Sequence, residues 1–236
     1  MSEDVSQYDA LYELARRKAR VDMLAFMRWC WRGPGEFKVG RHTIAICNEL
    51  TQAVNDYLEH GKSSYLLINT PPRHGKSEIL SRSFPAFFLG RCASKQPSVI
   101  MSGYGASLVE GFSKQCKELI KSPSYRELFP DVEIDRGRDS VDSWGIKGSR
   151  GEVAVVGLGG AVTGKGANAI LLDDAVKNRE EAYSPTIQEK NWYSFSADLM
   201  SRQNAGGCIV VVLMTRWHLL DIGGRIEDEM EHDSNF

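Results

Sequence analysis

Apolar residues recur at three- and four-residue spacing over 42–59, at Ile44, Cys47, Leu50, Val54 and Leu58. That spacing is one face of a helix, which Gly61 then ends. Upstream, residues 6–31 carry a second helical pattern with Leu14, Val21, Leu24 and Phe26 on its apolar side, broken by Trp31-Arg32-Gly33-Pro34-Gly35. Its basic stretch, Arg16-Arg17-Lys18-Ala19-Arg20, reads as a solvated helix face ahead of a DNA or partner contact. From Tyr65 onward the pattern changes. Short continuous apolar runs at 65–69, 99–102, 152–156, 169–172 and 208–213 have the length and composition of buried strands.

Helical stretches separate these runs. One is expected from Ser77. The next carries a capping box, Ser107 with Glu110, and an apolar stripe of Leu108, Phe112, Cys116 and Leu119 or Ile120, stopped by Ser122-Pro123. Another starts at Ser184-Pro185, with a cap and a proline at its first position. Residues 130–151 are rich in Asp, Arg and Gly and read as an exposed excursion. Strands alternating with helices predict an α/β fold: a mostly parallel central sheet, helices on both faces. Residues 1–60 form an N-terminal helical extension packed on the core, and 61–236 form the core itself.

A formal charge of −2 means that bulk electrostatics do not mark a nucleic-acid binder, so any such contact needs a local patch or several subunits together. Cys30, Cys47, Cys92, Cys116 and Cys208 contain no C-x-x-C pair, which reads as reduced core cysteines of a cytosolic protein. The acidic start, Met1-Ser2-Glu3-Asp4, has no apolar segment behind it, so no signal peptide is expected. No apolar run approaches membrane-spanning length.

The candidate chemistry sits at strand ends. Thr70-Pro71-Pro72-Arg73-His74-Gly75-Lys76-Ser77 follows the 65–69 run and leads into a helix. This is the strand–turn–helix setting of a P-loop, with Thr70 in place of the first glycine. Backbone N–H groups and a helix N-terminus there surround phosphate, Lys76 reaches the β/γ-phosphates and the Ser77 hydroxyl serves Mg²⁺. Ala169-Ile170-Leu171-Leu172-Asp173-Asp174 is the matching acidic strand. Asp173 is the magnesium partner, acting through water and Ser77, and Asp174 stands one step further out, where a carboxylate orients and deprotonates a water. A second G-x-x-x-x-G-K string, Gly159 to Gly166, has no hydroxyl at its eighth position and leads into a strand, so it reads as a mobile glycine loop in which Lys165 can touch a phosphate backbone or a neighbouring subunit.

Four segments together resemble the large terminase subunit of tailed double-stranded DNA bacteriophages, in its N-terminal packaging ATPase. They are Pro71-Pro72-Arg73-His74-Gly75-Lys76-Ser77; residues 122–130; Thr163-Gly164-Lys165-Gly166 running on to Leu172-Asp173-Asp174; and Thr215-Arg216-Trp217-His218. The resemblance spans most of 24–228. It implies an additional-strand P-loop NTPase, the extra strand expected from 99–102 and 152–158, with ATP and Mg²⁺ as cofactors. It also implies Mg-dependent hydrolysis driving viral DNA into a procapsid in the cytoplasm of the infected bacterial host. The expected partners are double-stranded DNA, the portal protein, the small terminase subunit and further copies in a pentameric ring.

By the same resemblance Asp174 is the catalytic carboxylate, Thr215 the coupling residue that senses the γ-phosphate, and Arg73 the arginine within the loop. Arg73 lies three residues before Lys76, where many relatives carry it four before, so Arg150, Arg202 and Arg216 stand as alternative fingers acting in trans. Ala175 stands where relatives often have proline, and Leu219-Leu220-Asp221 replaces a more acidic run. Trp217 and His218 read as packing and capping residues. Trp31, Phe37 and His42 fill either an adenine pocket or the seam beside the N-terminal helices. The family's nuclease domain is not assigned to these residues. Two rival readings stay open: a helicase-like translocase, which needs a second core-like domain, and a non-hydrolysing nucleotide-binding scaffold, which has no use for Asp174.

Overall fold

The computed structural model describes residues 2–162 and 164–232; Thr163, part of one quoted segment, lies outside them. Among the described residues seven strands form one sheet: β1 (Ser64–Asn69), β2 (Val99–Gly103), β3 (Ile134–Asp139), β4 (Ser143–Ile146), β5 (Glu152–Gly157), β6 (Ala169–Asp173) and β7 (Ile209–Met214). Their spatial order is β1-β7-β6-β2-β5-β4-β3. The first five are mutually parallel, and β4 and β3 extend the sheet antiparallel. Every residue of β2, β6 and β7 is buried, as strands covered on both faces must be. The strand lying between β1 and β6 is β7; the expectation that 99–102 and 152–158 supply it is corrected, since β2 and β5 lie beyond β6.

The N-terminal pattern divides into two helices, α1 (Ser2–Val21) and α2 (Met23–Cys30), where one run over 6–31 was expected. The break is local chemistry. Asp22 adopts an extended backbone and its carboxylate accepts from the Ala25 N–H at 2.7 Å, capping α2. Leu14 and Val21, expected on the apolar side, are exposed, while Met23, Phe26, Met27 and Cys30 are buried. Arg16 and Arg17 pair with Glu13, and Arg20 donates to the Leu128 carbonyl.

Helix α3 (Arg41–His60) matches its expected span, with Ile46, Cys47, Leu50, Ala53, Val54 and Tyr57 inward and Ile44 exposed. These helices share one apolar cluster with α4 (Phe84–Arg91), in which the Phe26 and Phe87 rings lie 5.4 Å apart. Each such ring contributes about 2–3 kcal/mol by burial.

Helix α5 (Ala106–Lys121) begins at Gly105, without a side-chain cap, so the Ser107–Glu110 capping box is not formed. Its inward face is Val109, Ser113, Cys116, Leu119 and Ile120; Cys116, Leu119 and Ile120 were expected there, whereas the expected Leu108 and Phe112 are half-buried, one position from Val109 and Ser113. Ser122 does end α5. It also caps α6 (Pro123–Leu128), accepting from the Tyr125 N–H. The segment 130–151 is not an excursion. It supplies β3 and β4, and Trp144 is 1% exposed with its indole N–H on Ser113 Oγ at 2.8 Å. The chain closes through α7 (Arg179–Ala182), α8 (Pro185–Tyr193), a π-helical turn at Ser194–Leu199, β7 and α9 (Ile222–His232). Ser184 precedes α8 without a side-chain cap bond.

Candidate functional site

Parallel strands deliver their C-terminal ends to one edge of the sheet, and in open α/β folds ligands bind outside that edge. Here β1, β6 and β7 end in register, Asn69 beside Met214 and Asp173 beside Leu213. The next residues, Thr70, Asp174 and Thr215, therefore meet. Thr70 N–H donates to the Met214 carbonyl at 3.1 Å and Asp174 N–H to the Leu213 carbonyl at 2.9 Å. The Asp174 carbonyl accepts from Tyr104 N–H at 2.9 Å, and Thr215 N–H reaches the Asp174 carboxylate at 3.3 Å. These bonds fix Asp174 in a left-handed conformation, φ 49°, which aspartate tolerates better than most residues.

Residues 70–77 form the loop between β1 and the next helix, which begins at Lys76. Gly75 takes φ 75°, a conformation glycine adopts without penalty, and Arg73 takes φ 64°. Pro71, Pro72, Arg73, His74 and Gly75 are exposed, while Lys76 is buried. His74 Nδ1 contacts the Pro72 carbonyl at 2.8 Å, a bond within the loop. From the N-terminal helices His42 Nε2 reaches the His74 carbonyl at 3.1 Å, and the two imidazole rings lie 5.5 Å apart. Trp31 and Phe37, the other two residues of the expected adenine pocket or seam, pack against each other with tilted rings, centroids 5.2 Å apart.

Lys76 Nζ is the centre of the cluster. It donates to the Asp174 carboxylate and, at 2.8 Å, to Thr215 Oγ1, whose own hydroxyl donates to the Thr70 carbonyl at 3.3 Å. One cation, one carboxylate and one hydroxyl thus converge from three separate segments.

Asp173 is 1% exposed. Its Oδ2 accepts from Ser81 Oγ at 2.6 Å, and its Oδ1 has no hydrogen-bond partner among the described residues. Burial pushes its carboxyl above the ordinary value; the Ser81 and then the Ser77 hydroxyl pull it back, Asp174 pushes it up and Lys76 pulls it down. A buried carboxylate oxygen without a partner, beside a hydroxyl and a lysine, fits the oxygen-rich and partly hydrated surroundings that a magnesium ion takes. Ser77, Asp173 and Lys76 can therefore hold a metal–phosphate pair.

Ser81 was not read from the sequence. It stands four residues after Ser77, and a polar residue at that spacing in a helix gives no signal until β6 is known to pass beside it. The segment Glu78–Ser83 is a π-helical turn, with Phe84 N–H bonded to the Ile79 carbonyl. Within it Glu78 and Arg82 form an ion pair, and burial pushes the Glu78 carboxyl up while Arg82 pulls it back.

The segment after β7 is built by Asp221, 3% exposed, which accepts from the N–H groups of Trp217, His218 and Gly224. His218 Nδ1 meets the Gln188 amide at 3.1 Å and its ring packs on Tyr183. The His218 ring thus packs beside the turn as expected, whereas the Trp217 side chain, expected to pack, is exposed and Trp217 enters the turn through its backbone N–H. Of the arginines, Arg73 lies exposed on the loop; Arg216 is paired with Asp221 and Glu227, Arg202 donates to the Asp198 carbonyl, and Arg150 is exposed at the opposite end of the strands, before β5. The glycine loop at 159–166 runs into β6, and Lys165 pairs with Glu152 at 3.6 Å. An apolar groove of about 320 Å³, lined by Tyr65, Leu67, Trp192, Phe195 and Met230 among others, shares no residue with the Lys76 cluster.

Residues 67–220 match the family model described as terminase large subunit, T4-like-virus type, N-terminal. No curated protein matches. Among solved structures, the large terminase of bacteriophage HK97 superposes with a TM-score of 0.52 at 13% identity, covering 91% of this chain and 42% of that one. At that identity the likeness concerns the fold, and the chain spans less than half the length of that protein.

Proposed function

We propose, from the premise that this chain belongs to the N-terminal family of T4-like-virus-type large terminase subunits, that it is a P-loop ATPase of the additional-strand type. In this reading Mg-dependent ATP hydrolysis drives double-stranded viral DNA into a procapsid. The observation that carries the reading is the convergence of Lys76, Asp174 and Thr215 at the ends of β1, β6 and β7. The strand between β1 and β6 is the feature that supports the additional-strand type.

Phosphate lies against the backbone of 70–77 and the N-terminus of the helix that Lys76 opens, with Lys76 on the β/γ-oxygens. Magnesium, when bound, neutralises charge on those oxygens. Ser77 and Asp173 hold it. Asp174 accepts the proton of the attacking water, and Thr215 donates to the γ-phosphate or to that water. Arg73, exposed on the loop three residues before Lys76, takes the charge that develops on the reacting phosphate.

The partners proposed are DNA, the portal protein, the small terminase subunit and further copies of this chain in a ring, in the host cytoplasm. A non-hydrolysing scaffold is the less favoured reading, because it leaves the bonds that hold Asp174 without a purpose. The test is phosphate release with and without Mg²⁺: wild type turns over with Mg²⁺, and Lys76→Ala abolishes both turnover and tight nucleotide binding. Absence of Mg-dependent release by the folded wild-type chain contradicts the reading.

A further inference from the structure

Two hydroxyls approach the Asp173 carboxylate, and only one of them belongs to the phosphate loop. Ser81 is 3% exposed and donates to Asp173 Oδ2 at 2.6 Å. The opposite oxygen, Oδ1, is buried without a hydrogen-bond partner among the described residues. A carboxylate on a strand end can rotate about its last bond. With one oxygen held, it cannot, and the other oxygen keeps a single direction.

We propose that Ser81 is a positioning residue: by holding Asp173 Oδ2 it aims Oδ1 at the magnesium ion that accompanies the nucleotide. The inference rests on the ATPase reading and deepens it. Two observations and one general property support it.

The first is the backbone. Glu78–Ser83 is wound as a π-helical turn, a rare form found mostly as single-turn bulges within α-helices and frequently at functional sites. The extra residue shifts the register of the segment, so that Ser81 reaches Asp173 while Ile79, Leu80 and Phe84 are all buried in the apolar cluster. The second is the asymmetry of the carboxylate: one oxygen paired, one not. A carboxylate with a purely structural part in the core would be expected to have both oxygens satisfied, since an orphaned buried acceptor loses its hydration without compensation. The third is a general property of metal sites. Groups that hydrogen-bond a ligating carboxylate fix its direction, and their loss typically weakens metal binding by about 10–100-fold.

The test compares wild type with Ser81→Ala and Ser81→Thr; Ser81→Cys, close in size and a weak donor, stands in for Ser81→Ala if that variant does not fold. Two quantities are read: the Mg²⁺ concentration for half-maximal phosphate release at saturating ATP, and the gain in melting temperature that Mg²⁺ adds to ADP. The second needs no turnover. Ser81→Ala is expected to raise half-saturating Mg²⁺ roughly tenfold and to lose most of the Mg-dependent gain. Its ADP affinity in EDTA stays within about twofold of wild type, and Ser81→Thr restores both quantities. A Ser81→Ala protein with a lowered melting temperature but wild-type half-saturation and a wild-type Mg-dependent gain overturns the proposal, since Ser81 is then only a packing residue. If wild type itself shows no Mg-dependent gain with ADP, the ATPase reading fails and this inference fails with it.

Discussion

Thr215 is the residue at which position and proposed role bear most directly on each other. Its hydroxyl is the link between the ends of β1 and β7, accepting from Lys76 and donating to the Thr70 carbonyl. Thr215→Val keeps the shape and removes both bonds, and a hydrogen bond to a charged group is worth about 1.5–3 kcal/mol. The expected outcome is near-normal ATP binding with turnover lowered roughly tenfold, restored by Thr215→Ser. In a full-length enzyme that carries these residues, DNA packaging falls further than hydrolysis. Equal losses in the two measurements remove the coupling role.

The acidic and basic members of this cluster were legible in the sequence because their positions follow from strand ends: a buried apolar run delivers the next polar residue to the sheet edge. Ser81 was not legible as a site residue, and His42 was legible only as a choice between an adenine pocket and the seam beside the N-terminal helices. Their roles come from which backbone passes beside them: β6 for Ser81 and the 70–77 loop for His42. No local pattern encodes that.

Elements with continuous apolar runs or strong periodicity were readable; those whose burial depends on a partner were not. The strands β2, β5, β6 and β7 and the helix α3 lie within a residue or two of their expected spans. The polar segment 130–151 misled, because its exposed face carries the Asp, Arg and Gly that dominate its composition while Trp144 and Ile146 turn inward. An antiparallel edge hairpin shows water one face, so its sequence looks like a loop. The same logic accounts for the break at Asp22, where a single cap outweighs a helical pattern that runs on both sides of it.

Trp144→Ala tests whether this hairpin belongs to the cooperative core. It removes a fully buried indole and leaves the Ser113 hydroxyl without its donor, and is expected to lower stability by about 3–5 kcal/mol in denaturant unfolding. A loss under about 1 kcal/mol would return the segment to the status of an exposed excursion.

For the molecule as a whole, charge limits what one copy can do. A single copy of formal charge −2 is expected to hold duplex DNA weakly, with binding that falls steeply with added salt. A ring repeats one modest patch several times and gains avidity without new contacts. Fluorescence anisotropy on a chain shown to be monomeric is therefore expected to give weak, salt-sensitive binding, and tight binding that ignores salt contradicts the ring.

The central claim also belongs to the whole molecule: separate strand ends are gathered into one hydrolytic centre in which Asp174 acts on the water and Lys76 on the phosphates. The most direct measurement follows ATP binding and Mg-dependent phosphate release together on wild type and Asp174→Asn. The account predicts ATP affinity within a few-fold of wild type and release slowed by roughly 10²-fold or more, the range that removal of a general base produces. Phosphate release by Asp174→Asn at the wild-type rate would contradict it.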